Sequence, residues 1–191
     1  MEDSEILKRV INNTDLEAFT NLIEKYQKMV VTTCRNFVSN YADAEDVAQD
    51  VFIELYESLP SFRNESKLST WIYRIAVNKS LNFVKKRKRE LLFSSFSKRG
   101  NAHHNPIIEG SDQSDEADFR IAKQEQLKIL RQAINKLPEN QKIAIILNKY
   151  QELSYKEVAD IMGVSLSSVE SLIFRSKINL QKYLNNELRK K

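Results

Sequence analysis

Leu16, Phe19, Leu22, Ile23, Tyr26, Met29, Val30 and Phe37 recur at steps close to three and four residues, the spacing of one apolar helix face. Thr14-Asp15-Leu16-Glu17 has the form of a capping box at its start, with Thr14 as N-cap and Glu17 reaching back to it. A second helix is predicted from Ala42 to Leu59, stopped at Pro60. A third starts near Ser69 and runs through Trp71, Ile72, Ile75 and Ala76 into Lys85-Lys86-Arg87-Lys88-Arg89. From Leu91 to Asp118 no period is sustained. Ser94, Ser95, Ser97, Gly100, Asn101, Pro106 and Gly110 mark this stretch as a flexible linker. Helical spacing then returns. Leu127, Leu130, Ile134 and Leu137 form a stripe ended by Pro138, which suits the first turn of the next helix. That helix carries Ile143, Ile146, Leu147 and Tyr150. Ser154-Tyr155-Lys156-Glu157 is a second capping box, opening a short helix with Val158, Ala159, Ile161 and Met162. Gly163 follows, where a left-handed residue ends such a helix, and Ser165 then caps a last one carrying Val169, Leu172, Ile173 and Leu180. The expectation is an all-α chain: a helical domain over 1–90, a linker over 91–124 and a second helical domain over 125–191.

Composition narrows the chemistry. Only 3 Gly and 3 Pro occur in 191 residues, too few for the turns of an all-β sandwich or for the Gly-rich loops that cradle phosphates. One Cys excludes an internal disulfide, and one Cys with two His cannot make a common zinc site, so no metal and no cofactor is expected. Cys34 reads as a small buried hydrophobe, and His103 and His104 as solvated loop residues. No apolar run reaches the length of a membrane span and MEDSEILKRV has no signal-peptide character, so no membrane insertion and a cytoplasmic location are expected. The net charge of +4 is uneven. From Glu125 onward there are 12 basic and 7 acidic residues; before it, 18 and 19.

Three constellations stand out. Ser154 to Met162, the Gly163-Val164 turn and the helix after Ser165 have the form of a helix–turn–helix. Buried Val158, Ala159, Ile161, Val164, Val169 and Ile173 would fix its crossing. Leu166, Ser167, Ser168, Glu170, Ser171 and Arg175 would face outward toward base edges and phosphates. A plain helical hairpin fits the pattern equally well, but the local excess of Lys142, Lys149, Lys156, Arg175, Lys177 and Lys182 favours a nucleic acid. The second constellation is an acidic stripe, Asp46, Asp50, Glu54 and Glu57, with Asp43 and Glu45 near the helix start. Lysines do not follow at i+4, so the stripe reads either as a solvated face or as a docking surface for a basic partner. The third is a polar loop from Ser61 leading into Trp71, Tyr73, Arg74, Asn78 and Lys79 and then the basic run. Mixed aromatic and cationic groups suit a single strand or an extruded base, while Trp71 also fits a core position.

In this order the features resemble the extracytoplasmic-function (ECF) group of bacterial sigma factors in the sigma-70 family. Asp43-Ala44-Glu45-Asp46-Val47-Ala48-Gln49-Asp50-Val51-Phe52 resembles region 2.2; Phe62-Arg63 through Asn78 and the basic run resemble regions 2.3 and 2.4. Leu137-Pro138-Glu139-Asn140-Gln141 resembles the opening of region 4, and Tyr155 to Lys177 the region 4.2 helix–turn–helix. The resemblance implies a transcription initiation factor. Asp43, Glu45, Asp46, Gln49, Asp50 and Glu54 would dock on the clamp helices of the largest subunit of core RNA polymerase, with the flap region a further contact. Arg63, Asn64, Lys67, Ser69, Trp71, Arg74, Asn78, Lys79, Lys85, Lys86 and Arg87 would bind and open the −10 element of promoter DNA. Ser165, Leu166, Ser167, Ser168, Glu170, Ser171, Arg175 and Lys177 would lie at the −35 element. An anti-sigma factor is implied as an inhibitor, and the linker would thread toward the polymerase active-site channel. Val169-Glu170-Ser171-Leu172 departs from the family's usual basic residue and Ser-Arg, which implies an altered −35 preference.

Two rival readings use fewer of these features. A stand-alone helix–turn–helix regulator leaves the acidic stripe and the basic run unused. An α-helical adaptor binding only proteins predicts no salt-dependent DNA affinity. An enzyme is disfavoured, because no nucleophile–base pair or metal set can be assembled from the residues present.

Overall fold

The computed structural model describes residues 3–13, 15–38, 40–97 and 117–189. Among the described residues every regular element is helical: eight α-helices and one 3₁₀ turn. The chain divides into two compact units, residues 1–108 and 109–191.

The first unit holds α1 (Asp3–Asn13), α2 (Leu16–Phe37), α3 (Tyr41–Ser58) and α4 (Leu68–Ser97). A 3₁₀ turn over Leu59–Ser61 follows α3 where Pro60 cannot extend it. Leu22, Val30, Val51, Leu55 and Ile72 fill the core. The apolar face of α2 is displaced slightly from the expected one. Leu16 is exposed and Ala18 is buried instead, while Cys34 is buried as expected. Burial also pushes the Cys34 thiol up, as an inert core position requires. Asp15, one residue beyond the expected Thr14, caps α2 by accepting from the Ala18 N–H at 3.0 Å. Arg9 holds that carboxylate from α1, with Nη2 2.8 Å from Oδ2, which favours Asp15 as the cap. At its other end α1 is held through Asp3, which accepts from Lys25 Nζ and from the Tyr26 hydroxyl, each at 2.6 Å.

The long α4 continues to Ser97, past the expected loss of pattern at 91. Glu90 to Ser97 contains no Gly or Pro, and a formed helix extends at one hydrogen bond per residue until something stops it. The central part of the expected linker, including His103 and His104, lies outside the described residues.

The second unit holds α5 (Ala117–Asn135), α6 (Glu139–Lys149), α7 (Tyr155–Met162) and α8 (Leu166–Leu188). Pro138 is the N-cap of α6, one position before the expected first turn. Residues 143–147 of α6 are all buried, whereas Tyr150 is exposed and Leu127 of α5 lies outside the core. α6 is joined to α8 by polar bonds as well: the Ser176 hydroxyl donates to the Gln141 carbonyl at 3.1 Å, and Asn179 Nδ2 donates to Gln141 Oε1 at 2.8 Å.

Candidate nucleic-acid and partner interfaces

The helix–turn–helix is built from local chemistry. Ser154 and Glu157 form the reciprocal capping box at the start of α7. Gly163 ends α7 in the left-handed conformation at φ 66, and a side chain added there would meet nothing within 4 Å. Its role is therefore backbone freedom and not close packing. Ser165 then caps α8 by accepting from the Ser168 N–H at 3.2 Å. Its hydroxyl also lies 3.1 Å from Ser167 Oγ and 2.8 Å from Ser168 Oγ. Val158, Ala159, Ile161, Val169 and Ile173 are buried and set the α7–α8 crossing. Val164 was expected with them but is 38% exposed, because the turn after Gly163 directs it outward.

Ser165, Leu166, Ser167, Ser168, Glu170, Ser171, Arg175 and Lys177 are all exposed. Phe174, which helical spacing does not mark as a surface group, is 65% exposed and shares a stripe at four-residue steps with Leu166, Glu170 and Ile178. Periodicity alone cannot separate an apolar residue on the outer face from one facing the core.

In the first unit, Asp46, Gln49 and Asp50 are exposed on α3, while Val47, Val51 and Leu55 turn inward. Glu45 is exposed and accepts from the Tyr41 hydroxyl, a bond that raises the Tyr41 phenol. Two of the other carboxylates depart from an unpaired stripe. Glu54 Oε2 lies 2.7 Å from Lys79 Nζ, and Asp43 pairs with Arg87. Both cations come from α4, so searching α3 at i+4 could not find them. Glu54 raises the Lys79 ammonium through its hydrogen bond; Asp50 and Glu57 add to the rise, and partial desolvation opposes it.

The loop before α4 is also shaped by specific residues. Asn64 takes φ 55, a left-handed conformation that Asn tolerates, and it is exposed with Arg63 and Lys67. The Lys67 carbonyl accepts the Trp71 N–H at 3.2 Å, and Leu68 is buried, so α4 begins here. Trp71 is half-buried and stacks on Phe62, ring centroids 4.8 Å apart. One part of it packs on the core and the rest lies at the surface. Tyr73 is buried and cannot serve as a surface stacking group. Ser69 is half-buried; Arg74, Asn78, Lys85 and Lys86 are exposed. Arg87 is half-exposed, with its guanidinium 5.9 Å from the Phe83 ring centroid.

No group of metal-ligating side chains occurs among the described residues, and no described helix is long and apolar enough to cross a membrane.

Comparison with known proteins places these surfaces in a family. Residues 22–90 match Sigma-70 region 2, and residues 127–180 match Sigma-70 region 4. The chain is 32% identical to the RNA polymerase sigma-H factor of Pseudomonas aeruginosa, over 98% of this chain and 96% of that protein. It is 34% identical to the ECF RNA polymerase sigma-E factor of Escherichia coli K12, over 91% and 90% of the two chains. Two solved structures share the fold. CnrH in complex with the cytosolic domain of CnrY aligns with a TM-score of 0.66 and 21% identity, covering 96% of this chain and 97% of that one. The sigma factor RpoE of Bartonella quintana, in complex with the anti-sigma factor NepR, aligns with a TM-score of 0.62 and 24% identity, covering 87% and 96%. With both sigma regions matched in order and relatives aligned over nearly its whole length, the chain belongs to the sigma-70 family of bacterial RNA polymerase sigma factors, in the ECF group.

Proposed function

We propose that this sigma factor docks on the clamp helices of the largest subunit of core RNA polymerase through Asp46, Gln49 and Asp50 of α3, with Asp43, Glu45 and Glu54 beside them. The flap region is a further contact, and the docked chain directs polymerase to specific promoters. Arg63, Asn64, Lys67, Ser69, Trp71, Arg74, Asn78, Lys79, Lys85, Lys86 and Arg87 act at the −10 element, where stacking and phosphate contacts offset the cost of opening the duplex. The outward residues of α8, from Ser165 to Lys177, read the −35 element. The domain from 1 to 90 serves polymerase and the −10 element, residues 91–124 connect, and the domain from 125 to 191 serves the −35 element. The chain itself makes and breaks no covalent bond, and it works in the cytoplasm.

The observation that carries this reading is the pairing of a capped helix–turn–helix in the second unit, which exposes a polar and basic face, with a first unit that exposes carboxylates on α3 and cations on α4. A stand-alone regulator or a protein adaptor has no use for the whole set. Control by an anti-sigma factor is supported by the fold-related RpoE, whose structure contains one.

Run-off transcription with core polymerase and a promoter library tests the proposal. Specific transcripts should appear only when the chain is added. Transcripts that never depend on it, or no association with polymerase in a pull-down, would refute it.

A further inference from the structure

The two ion pairs between α3 and α4 join residues that the proposed function assigns to different partners. Glu54 and Asp43 belong to the polymerase-docking face, and Lys79 and Arg87 to the strand-binding helix. Lys79, Phe83 and Arg87 follow one another at four-residue steps, along the edge of α4 that meets α3. Arg74 and Asn78 lie on the adjacent exposed face. In the free chain, then, two of the cations suited to a DNA backbone are already occupied by carboxylates suited to polymerase.

These pairs sit at the solvent boundary. The Lys79 and Glu54 side chains are 33% and 45% exposed; Arg87 is 42% exposed, while Asp43 is 21% exposed with its Oδ2 buried. A pair as accessible as Glu54–Lys79 is weak enough to exchange partners. Both cations also keep their charge when they do, because an ammonium and a guanidinium are ionised near neutral pH whatever their partner.

We propose that Glu54–Lys79 and Asp43–Arg87 form an exchange switch: the carboxylates hold the two cations away from phosphates in the free chain, and a cationic polymerase surface that takes the carboxylates hands the cations to the opened DNA strand. The inference rests on the proposed docking and strand-binding faces and goes beyond them by coupling the two through named bonds. The coupling is reciprocal, since a strand that takes Lys79 and Arg87 leaves two carboxylates ready for polymerase.

The test uses the full chain and a fluorescein-labelled oligothymidylate strand, read by anisotropy across a salt series without polymerase. Glu54→Gln should tighten strand binding by about two- to five-fold, the range an exposed pair can supply. The slope of log affinity against log salt should steepen by about 0.7, the contribution of one cation on a single strand. In a Lys79→Gln background the same substitution should give no gain. With saturating core polymerase, wild type and Glu54→Gln should bind the strand alike, because the pair is then already open. Asp43→Asn with Arg87→Gln provides an independent cycle should one helix pair tolerate substitution poorly. No gain in either cycle overturns the switch. So does an equal gain in the Lys79→Gln background, which marks a general charge effect, or a gain that persists at saturating polymerase. A wild-type chain that never binds polymerase would instead strike the proposed function, which the polymerase-free assay does not touch.

Discussion

Gly163 shows how one residue sets the helix–turn–helix. It adopts φ 66 with open space where a side chain would project, so a substitution there is opposed by backbone conformation alone. Gly163→Ala should cost the second unit about 1 kcal/mol, the usual penalty for a left-handed L-residue, and Gly163→Asn less. Trp71 is the sole tryptophan and lies in the first unit. Urea unfolding followed by circular dichroism should therefore shift, while the Trp71 fluorescence transition stays in place. An unmoved dichroism curve would show that the turn tolerates a side chain. This residue was legible in the sequence because a helix end is decided by neighbours within a few positions. The same holds for Ser154, Glu157 and Ser165. Asp3 is the opposite case, since its partners Lys25 and Tyr26 come from another helix. Burial works to raise its carboxyl, but bonds from Lys25 and Tyr26 outweigh this and hold it below the ordinary range. A depressed carboxyl contributes stability above its unfolded value, near pH 4, and loses that contribution as pH falls through the folded value. The stability gap between wild type and Asp3→Asn should be constant from neutral pH to about pH 5 and close below about pH 4. Trp71-monitored urea midpoints measure it, and a gap unchanged at the acid end would show that the ionised form is not what anchors α1.

At the scale of elements, α3 separates packing from recognition on two faces. Val47, Val51 and Leu55 are buried, while Asp46 and Asp50 project to solvent. Reversing both charges with Asp46→Lys and Asp50→Lys should leave the helical signal unchanged. It should weaken binding to core polymerase by roughly tenfold or more, because like charges then meet across the interface. Fluorescence anisotropy with labelled chain checks this, and full affinity in the double variant would remove α3 from the docking surface. The division of labour on α3 was readable from helical spacing. Its electrostatic state was not. The stripe looked unpaired because a helix reading sees only its own i+4 neighbours, and the cations that meet Asp43 and Glu54 arrive from α4. Phe62 and Trp71 illustrate the same limit. Both aromatics flank the polar loop in sequence, but only the folded loop, with Asn64 left-handed, brings their rings into a stack. Tyr73 and Val164 were misplaced for the converse reason, since residue type alone does not say which side of a helix or turn faces the core.

At the scale of the molecule, the two units pack around separate cores, and a basic excess gathers in the later part of the second. Residues from Glu125 onward carry 12 basic and 7 acidic side chains, while the preceding part is near balance. Two modest contacts on one chain gain from effective concentration once both are engaged, so neither unit needs to bind tightly alone. It follows that defects in the two units should appear in different measured quantities. Run-off yield plotted against concentration of the chain has a half-saturation point and a plateau. The Asp46→Lys and Asp50→Lys variant should raise the concentration needed for half-saturation by roughly tenfold and leave the plateau near wild type, because saturation restores the complex. Arg175→Ala should keep the half-saturation point but lower the plateau several-fold on promoters that need the −35 element, since removing a groove or phosphate contact costs about 1–3 kcal/mol. Arg175 is exposed, so folding should be little disturbed. Combined, the substitutions should show both shifts unmixed, because they lie in separate units and act on different partners. A combined variant whose half-saturation moves well beyond that of the α3 variant alone would mean that α8 also contributes to polymerase docking.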